Sequence, residues 1–357
     1  MTNVFQLLYH GKCIKSYFLL CVFLIAGISA FSQQHELKYK SQIKPGTKIY
    51  VVTNRLADTS ALAVQYTNSL QKGSQLTYMR AVYFDIDSIQ IVKIDSIRFL
   101  SEISEKPDDW LVFVHGDSKT FNGAIERGLD IQYLYDIPVI VFSWPSYDSE
   151  INGLENVKNS QQNVIKSTED FFELLKFLNE FRKSNPSFSA DAKLSLFAHS
   201  LGNYYLKNLV TQNFILKFRN KIFDNLILNE AAVNEENHKK WVEKIDIQER
   251  IYITSNNKDF TLKGFQLFTD EGEQLGEEAA MPLAKNATYL RFTDAVGFRF
   301  PIGTTHTYFI GEVADKSNNI RWVYNELLHG MALDLSDKSM FEKRKDGLGF
   351  SVKADIK

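Results

Sequence analysis

The stretch KLSLFAHSLGNYYLKNLV, residues 193–210, decides how the rest of the chain is read. Its first half is an apolar run of the kind that forms strands, and residues 203–210 continue it as a helix. Between them Ala198-His199-Ser200-Leu201-Gly202 puts a serine at the apex of a strand, a sharp turn and a helix. Such an elbow crowds the strand against the helix, so the residues two before and two after the serine must be small. Ala198 stands where the motif G-x-S-x-G has its first glycine. The turn aims the next backbone N–H, that of Leu201, at an oxygen gaining negative charge, and the helix N-terminus adds favourable partial charge there. The bland alternative is an ordinary strand–helix turn with Ser200 as a helix N-cap.

Working outward, WLVFVHG (110–116), IPVIVFSW (137–144), NLILNEAAV (225–233), RIYITSN (250–256) and TYLRFT (288–293) are near-continuous runs of β-branched, aliphatic and aromatic residues. Strands buried on both faces have this composition. Shorter β-rich runs lie at 48–54, 81–86 and around 90–94. Over residues 161–185, Val164, Thr168, Phe171, Phe172, Leu175 and Leu178 fall on one helix face, and Pro186 marks the stop. Strands alternating with helices predict an α/β fold: a mostly parallel central sheet with helices on both faces. In such sheets the chemistry sits beyond the carboxyl ends of the strands.

Those ends carry the remaining candidates. WLVFVHG closes on His115-Gly116, which would let the N–H of Asp117 serve as a second oxyanion donor, with His115 read chiefly as a brace for the loop. In a hydrolase elbow fold the acid and then the histidine follow the serine along the chain. Of the seven histidines, His306, in the glycine-containing loop PIGTTHTYF after a late strand, meets that order best. His329 sits before Gly330 at a predicted helix C-terminus, where a histidine suits the helix dipole. Asp259 follows RIYITSN within three residues and is the preferred acid, with Glu230 in LILNEAAV as the alternative. Asp259 could equally cap a helix beginning at 260, or do both.

Several blocks then fall in a fixed order: VVTNR (51–55), VFVHG (112–116), Phe121 and Arg127, VIVFSWPS (139–146), AHSLGN (198–203), 259–262 and THTYF (305–309). Together they resemble a bacterial family of α/β-hydrolases of unknown function, DUF900, over roughly residues 48–330, with FSWPS as the most distinctive block. The resemblance implies the α/β-hydrolase fold, a Ser–His–Asp triad on Ser200, His306 and Asp259, and esterase- or lipase-like acyl hydrolysis. Trp144 and Tyr147 of the SWPS turn are then candidates for the acyl pocket, or else parts of a structural corner. After HG the family tends to an aromatic residue and an asparagine, whereas this chain has Asp117-Ser118. A carboxylate beside an oxyanion hole opposes the developing charge unless it points away.

Composition sets the bounds. The chain has 357 residues, 44% hydrophobic and 24% charged, with 41 basic and 43 acidic residues and a net charge of −2. Nothing in that balance suits nucleic acid, and no basic block occurs. Lys12 and Lys15, the uncharged apolar run 17–31, and Ala30 and Ser32 at −3 and −1 read as a secretory signal peptide, with a membrane anchor as the alternative. Both cysteines, Cys13 and Cys21, lie in that segment, so the mature chain would have no thiol.

The organisation expected is therefore a signal peptide at 1–32, a linker at 33–47, a hydrolase domain at 48–330 and a loosely packed tail at 331–357. Residues 263–285 read as an acidic surface excursion. The expected activity is that of an exported serine hydrolase acting on a small-molecule or lipid-like acyl ester, with no cofactor, no metal and no membrane span once the signal is removed. The rivals are a non-catalytic binding module on the same scaffold and an acyltransferase or peptidase using the same triad.

Overall fold

The structure is a computed structural model that describes residues 37–355, apart from 61–64, 74, 86–87, 106–107, 149, 152, 187–191, 269–271, 298 and 302. The expected signal peptide at 1–32 therefore lies outside the described residues.

Among the described residues eleven strands form one sheet: β1 (Lys48–Thr53), β4 (Thr77–Asp85), β5 (Ser88–Ile94), β6 (Trp110–Val114), β7 (Val139–Ser143), β8 (Leu194–His199), β9 (Phe223–Asn229), β10 (Gln248–Ser255), β11 (Ala287–Arg291), β12 (Phe341–Lys343) and β13 (Phe350–Val352). Their order is β12-β13-β11-β10-β9-β8-β6-β7-β1-β4-β5. Every pairing from β1–β7 across to β11–β13 is parallel, and only β1–β4, β4–β5 and β12–β13 are antiparallel. A separate hairpin joins β2 (Arg55–Asp58) to β3 (Gln65–Leu70).

The continuous apolar runs have the cause that the sequence suggests. Side chains alternate across a strand, and both faces are covered. Val112, Val114 and Phe142 pack with Phe171, Leu175 and Tyr205 on one side. Leu111, Phe113 and Phe197 pack with Leu129 and Val323 on the other. After β6 the chain moves outward to β7, then returns past β6 to β8 and continues the other way to β9. The loops after β6 and β8 therefore leave in opposite directions and open a crevice between them, which is where such sheets bind ligands.

Four expectations change. The helix expected over 161–185 is two helices, Gly153–Lys166 and Thr168–Ser184. Ser167 Oγ donates to the Asn163 carbonyl at 2.6 Å and Thr168 Oγ1 to that of Val164 at 2.9 Å, a back-bonding that bends helices. The described part of the supposed linker is packed, with Leu37, Tyr39 and Ile43 buried and the Tyr39 hydroxyl bonded to Asp315 at 2.9 Å. The supposed tail supplies β12 and β13, with Phe341 and Val352 buried. The supposed acidic excursion folds inward: Leu275 N bonds Val233 O at 2.8 Å and Gly276 N bonds Ala231 O at 2.9 Å. Gly276 is required there, since a Cβ on it would lie 2.3 Å from the Glu230 carbonyl carbon.

Candidate active site

Ser200 follows β8 with φ +53°. A residue with a Cβ in that conformation costs on the order of 1–3 kcal/mol and needs its surroundings to hold it. Asn203 Nδ2 does much of this, donating to the carbonyls of Ala198 at 3.0 Å, Ser200 at 2.9 Å and Asn229 at 3.3 Å. Gly202 brings the turn against β6: a Cβ there would sit 2.7 Å from the His115 carbonyl oxygen. On the opposite wall, a Cβ on Gly116 would lie 2.7 Å from Ser200 Cβ and 3.3 Å from its Oγ. The glycines of the two motifs thus mark where β6, its loop and the serine turn meet without room for a side chain.

His306 Nδ1 is hydrogen-bonded to Asp259 Oδ2. The carboxylate accepts, so the proton is on Nδ1 and Nε2 is left as the basic nitrogen. Asp259 is fully buried just beyond β10, and its other oxygen accepts from the backbone N–H of Thr261 at 2.9 Å and Leu262 at 3.2 Å, in the first turn of the helix Phe260–Phe268. It both caps that helix and holds the imidazole. Asn256 Nδ2 donates to the Thr305 carbonyl at 3.0 Å, tying the histidine loop to the end of β10. The His306 ring lies against that of His199, the residue before the serine, with centroids 4.6 Å apart. Among the described residues no hydrogen bond joins Ser200 Oγ to His306, and contacts of this kind commonly tighten only when substrate is bound.

The model of a family described as alpha/beta hydrolase of unknown function (DUF900) matches residues 96–287. The chain belongs to this family. The fold is accordingly that of an α/β-hydrolase. The matched span includes Gly116, Ser200, Glu230 and Asp259, while His306 lies beyond it and is brought back to them by the fold. No curated protein and no solved structure matches the chain.

The HG and FSWPS blocks explain one another. His115 accepts from the Trp144 backbone N–H through Nε2 at 3.1 Å, and its Nδ1 bonds the Gly116 carbonyl at 2.8 Å. Burial pushes this imidazole well below its ordinary range, so it is neutral. Both nitrogens are engaged, which makes His115 a brace. By holding the Gly116 carbonyl it turns the N–H of the same peptide, that of Asp117, to the opposite side. Among the described residues neither the Asp117 N–H nor the Leu201 N–H bonds another protein acceptor. Trp144 is fully buried, stacked on His115 with planes 2° apart, its Nε1 donating to the His115 carbonyl at 2.9 Å. This corrects its reading as a pocket wall: the indole has no exposed surface and serves the corner. Tyr147 keeps partial exposure.

Arg55 clamps the same corner from below. It is fully buried, and its fork donates to Ser143 Oγ, Asn68 Oδ1 and the carbonyls of Thr67, Lys119 and Trp144. Asp117 is partly buried, and its Oδ2 accepts from Ser118 Oγ at 3.0 Å. Burial raises its carboxyl above the usual range, which favours the uncharged form beside the candidate hole.

Glu230, the alternative acid, bonds elsewhere: its Oε1 accepts from the Tyr308 hydroxyl at 2.6 Å. Behind it, Asn229 Nδ2 donates to Thr254 Oγ1 at 2.7 Å and to the Tyr324 hydroxyl at 2.6 Å, while Asn229 Oδ1 bonds His199 Nδ1 at 2.8 Å. Burial, then the neighbouring His306, holds His199 well below the ordinary range, so it stays neutral against the candidate base. Glu230, Asp259 and His306 offer donor atoms within 4.8 Å of one another, close enough for a cation. Nδ1 and Oδ2 are already joined to each other, however, which commits that pair to a proton. Sequence reasoning gave no role to Arg55, Asn203, Asn229, Asn256 or Tyr308. Three of them stand inside the motif blocks VVTNR, AHSLGN and THTYF, and that position was their only signal.

Proposed function

We propose that the protein is an exported serine hydrolase that cleaves acyl esters. The His306–Asp259 hydrogen bond, set beside an elbow whose Ser200 has φ +53°, carries this reading. In it, Ser200 Oγ attacks the ester carbonyl as His306 Nε2 takes its proton. The N–H groups of Leu201 and Asp117 receive the oxyanion. His306 returns the proton to the leaving alcohol, and water then repeats the cycle on the acyl-enzyme. Asp259 fixes the Nδ1–H tautomer and stabilises the imidazolium. The substrate class is a small-molecule or lipid-like acyl ester, and Tyr147 borders its acyl side. The basic–apolar–small order of residues 12–32 supports export.

Turnover of p-nitrophenyl esters of graded acyl length tests the reading. Wild-type protein is expected to turn over at least one of them, and Ser200→Ala to lose on the order of 10⁴–10⁶-fold in kcat. Equal rates in both proteins would refute it.

A further inference from the structure

Two buried carboxyl groups face each other behind the imidazole. Glu230 and Asp259 are each 0% exposed, and their oxygens lie within 4.8 Å of one another and of a His306 nitrogen. Asp259 is fully engaged, by His306 on one oxygen and the helix on the other. Glu230 is half engaged: Oε1 takes the Tyr308 hydroxyl, while Oε2 is buried without a hydrogen-bond partner. Among the described residues no lysine or arginine forms an ion pair with either group. The remaining groups facing Glu230 are acidic or neutral: Glu277 from the segment that carries Gly276, Tyr308 from the histidine loop, and Tyr324 from the helix Asn318–Leu328. The backbone is held for this placement, since Glu230 has φ +42° and Gly276 packs against its carbonyl carbon.

Two carboxylates this close in a dry interior cannot both be ionised against one imidazole. Resting on the triad reading above, we propose that Glu230 is a neutral carboxylic acid whose Oε2–H points at Asp259, a positioning residue that keeps the cluster at a single negative charge aimed at His306. Burial, then the charge of Asp259, pushes its carboxyl well above the usual range, in keeping with this geometry. The function follows from charge balance. With Glu230 neutral, the one charge on Asp259 is matched when His306 takes the Ser200 proton. Were the Glu230 proton on His306 instead, the imidazole would be charged beforehand and Ser200 would have no base. The role differs from that of an alternative triad acid, which would have to be ionised.

Glu230→Gln tests this, because glutamine keeps the shape, can donate to Asp259 and accept from Tyr308, and never titrates. The first readout is Tm against pH, which needs no activity. A group whose folded pKa is raised gives stability that is complete below its unfolded pKa, near 4.3, and is lost as pH rises towards the folded value. The Tm of E230Q minus that of wild type is therefore expected to climb by about 2 °C or more between about pH 5 and pH 9.

The second readout is the rate of fluorophosphonate labelling. It is compared at about pH 7 between E230Q, which can still donate to Asp259, and a variant that cannot. Glu230→Leu, which can neither titrate nor donate, should reproduce the Tm trend yet label at least about tenfold more slowly.

A Tm difference that is flat or falls with pH, or E230Q labelling as slow as E230L, would overturn the proposal. So would an E230Q chain that does not fold, since a neutral isostere of a neutral acid must be tolerated. If Ser200→Ala labels like wild type, the hydrolase reading fails instead, and the Tm curves still decide the protonation of Glu230.

Discussion

Asp259 gives one carboxylate oxygen to a helix and the other to His306: Oδ1 caps the first turn of Phe260–Phe268, and Oδ2 holds the imidazole Nδ1. The two roles make the histidine's orientation depend on the same backbone that ends β10, so the candidate base is fixed by the fold rather than by a mobile loop.

The division of labour is separable by mutation. Asp259→Asn keeps an oxygen for the helix cap and loses the negative charge and the correct partner for Nδ1–H. It is expected to unfold within about 1 kcal/mol of wild type while losing about 10⁴-fold in acyl turnover. Asp259→Ala should lose both the activity and about 1 kcal/mol or more of stability. Urea titration beside ester hydrolysis separates the two, and an active Asp259→Asn protein would exclude the assigned role.

Gly116 leaves no room for a side chain in the crevice. An alanine methyl would meet Ser200 Cβ at 2.7 Å. Gly116→Ala is expected to displace the serine and its facing N–H, cutting labelling by about 10²-fold or more. Circular dichroism should still report a folded sheet. Wild-type labelling by this variant would mean that the loop after β6 stands farther from Ser200 than the structure has it.

Asp117 sets a second, opposite-signed effect. Its carboxyl is raised by burial, so it is uncharged at low pH and becomes a negative charge beside the oxyanion as pH rises through its pKa. The ratio of Asp117→Asn to wild-type activity is expected to be near one at acid pH and to rise to about tenfold, equivalent to about 1.4 kcal/mol, on the alkaline side. A ratio independent of pH would mean that the carboxylate points away from the hole.

Arg55 ties the hairpin β2–β3 to the carbonyls of Lys119 and Trp144. Lysine cannot reproduce that fork. Arg55→Lys is expected to cost about 3 kcal/mol or more, since hydrogen bonds to a charged group are each worth about 1.5–3 kcal/mol. Chemical denaturation measures it, and a loss below about 1 kcal/mol would show that the clamp is dispensable.

Much of this was legible in the chain itself. Strands such as WLVFVHG and IPVIVFSW announce double-sided burial, and the order of Ser200, Asp259 and His306 along the sequence follows from the order of the strands that precede them. What stayed hidden has physical reasons. β3, QYTNSL, is a polar strand of a small hairpin with no buried face to give it a pattern. β12 and β13 have three residues each, too short for a period to appear. The break at Ser167 depends on side-chain back-bonding that leaves the apolar spacing unchanged. Trp144 could be assigned to the corner only once its stacking on His115 was visible. Glu230 reads as a rival acid until its side chain is seen turned to Tyr308.

The most direct test of the account is labelling by a fluorophosphonate followed by mass spectrometry of the modified peptide. One adduct per chain is expected, on Ser200, formed quickly by wild type and absent from Ser200→Ala and, within the same time, from His306→Ala. An adduct on another residue, or undiminished labelling of Ser200→Ala, would contradict it.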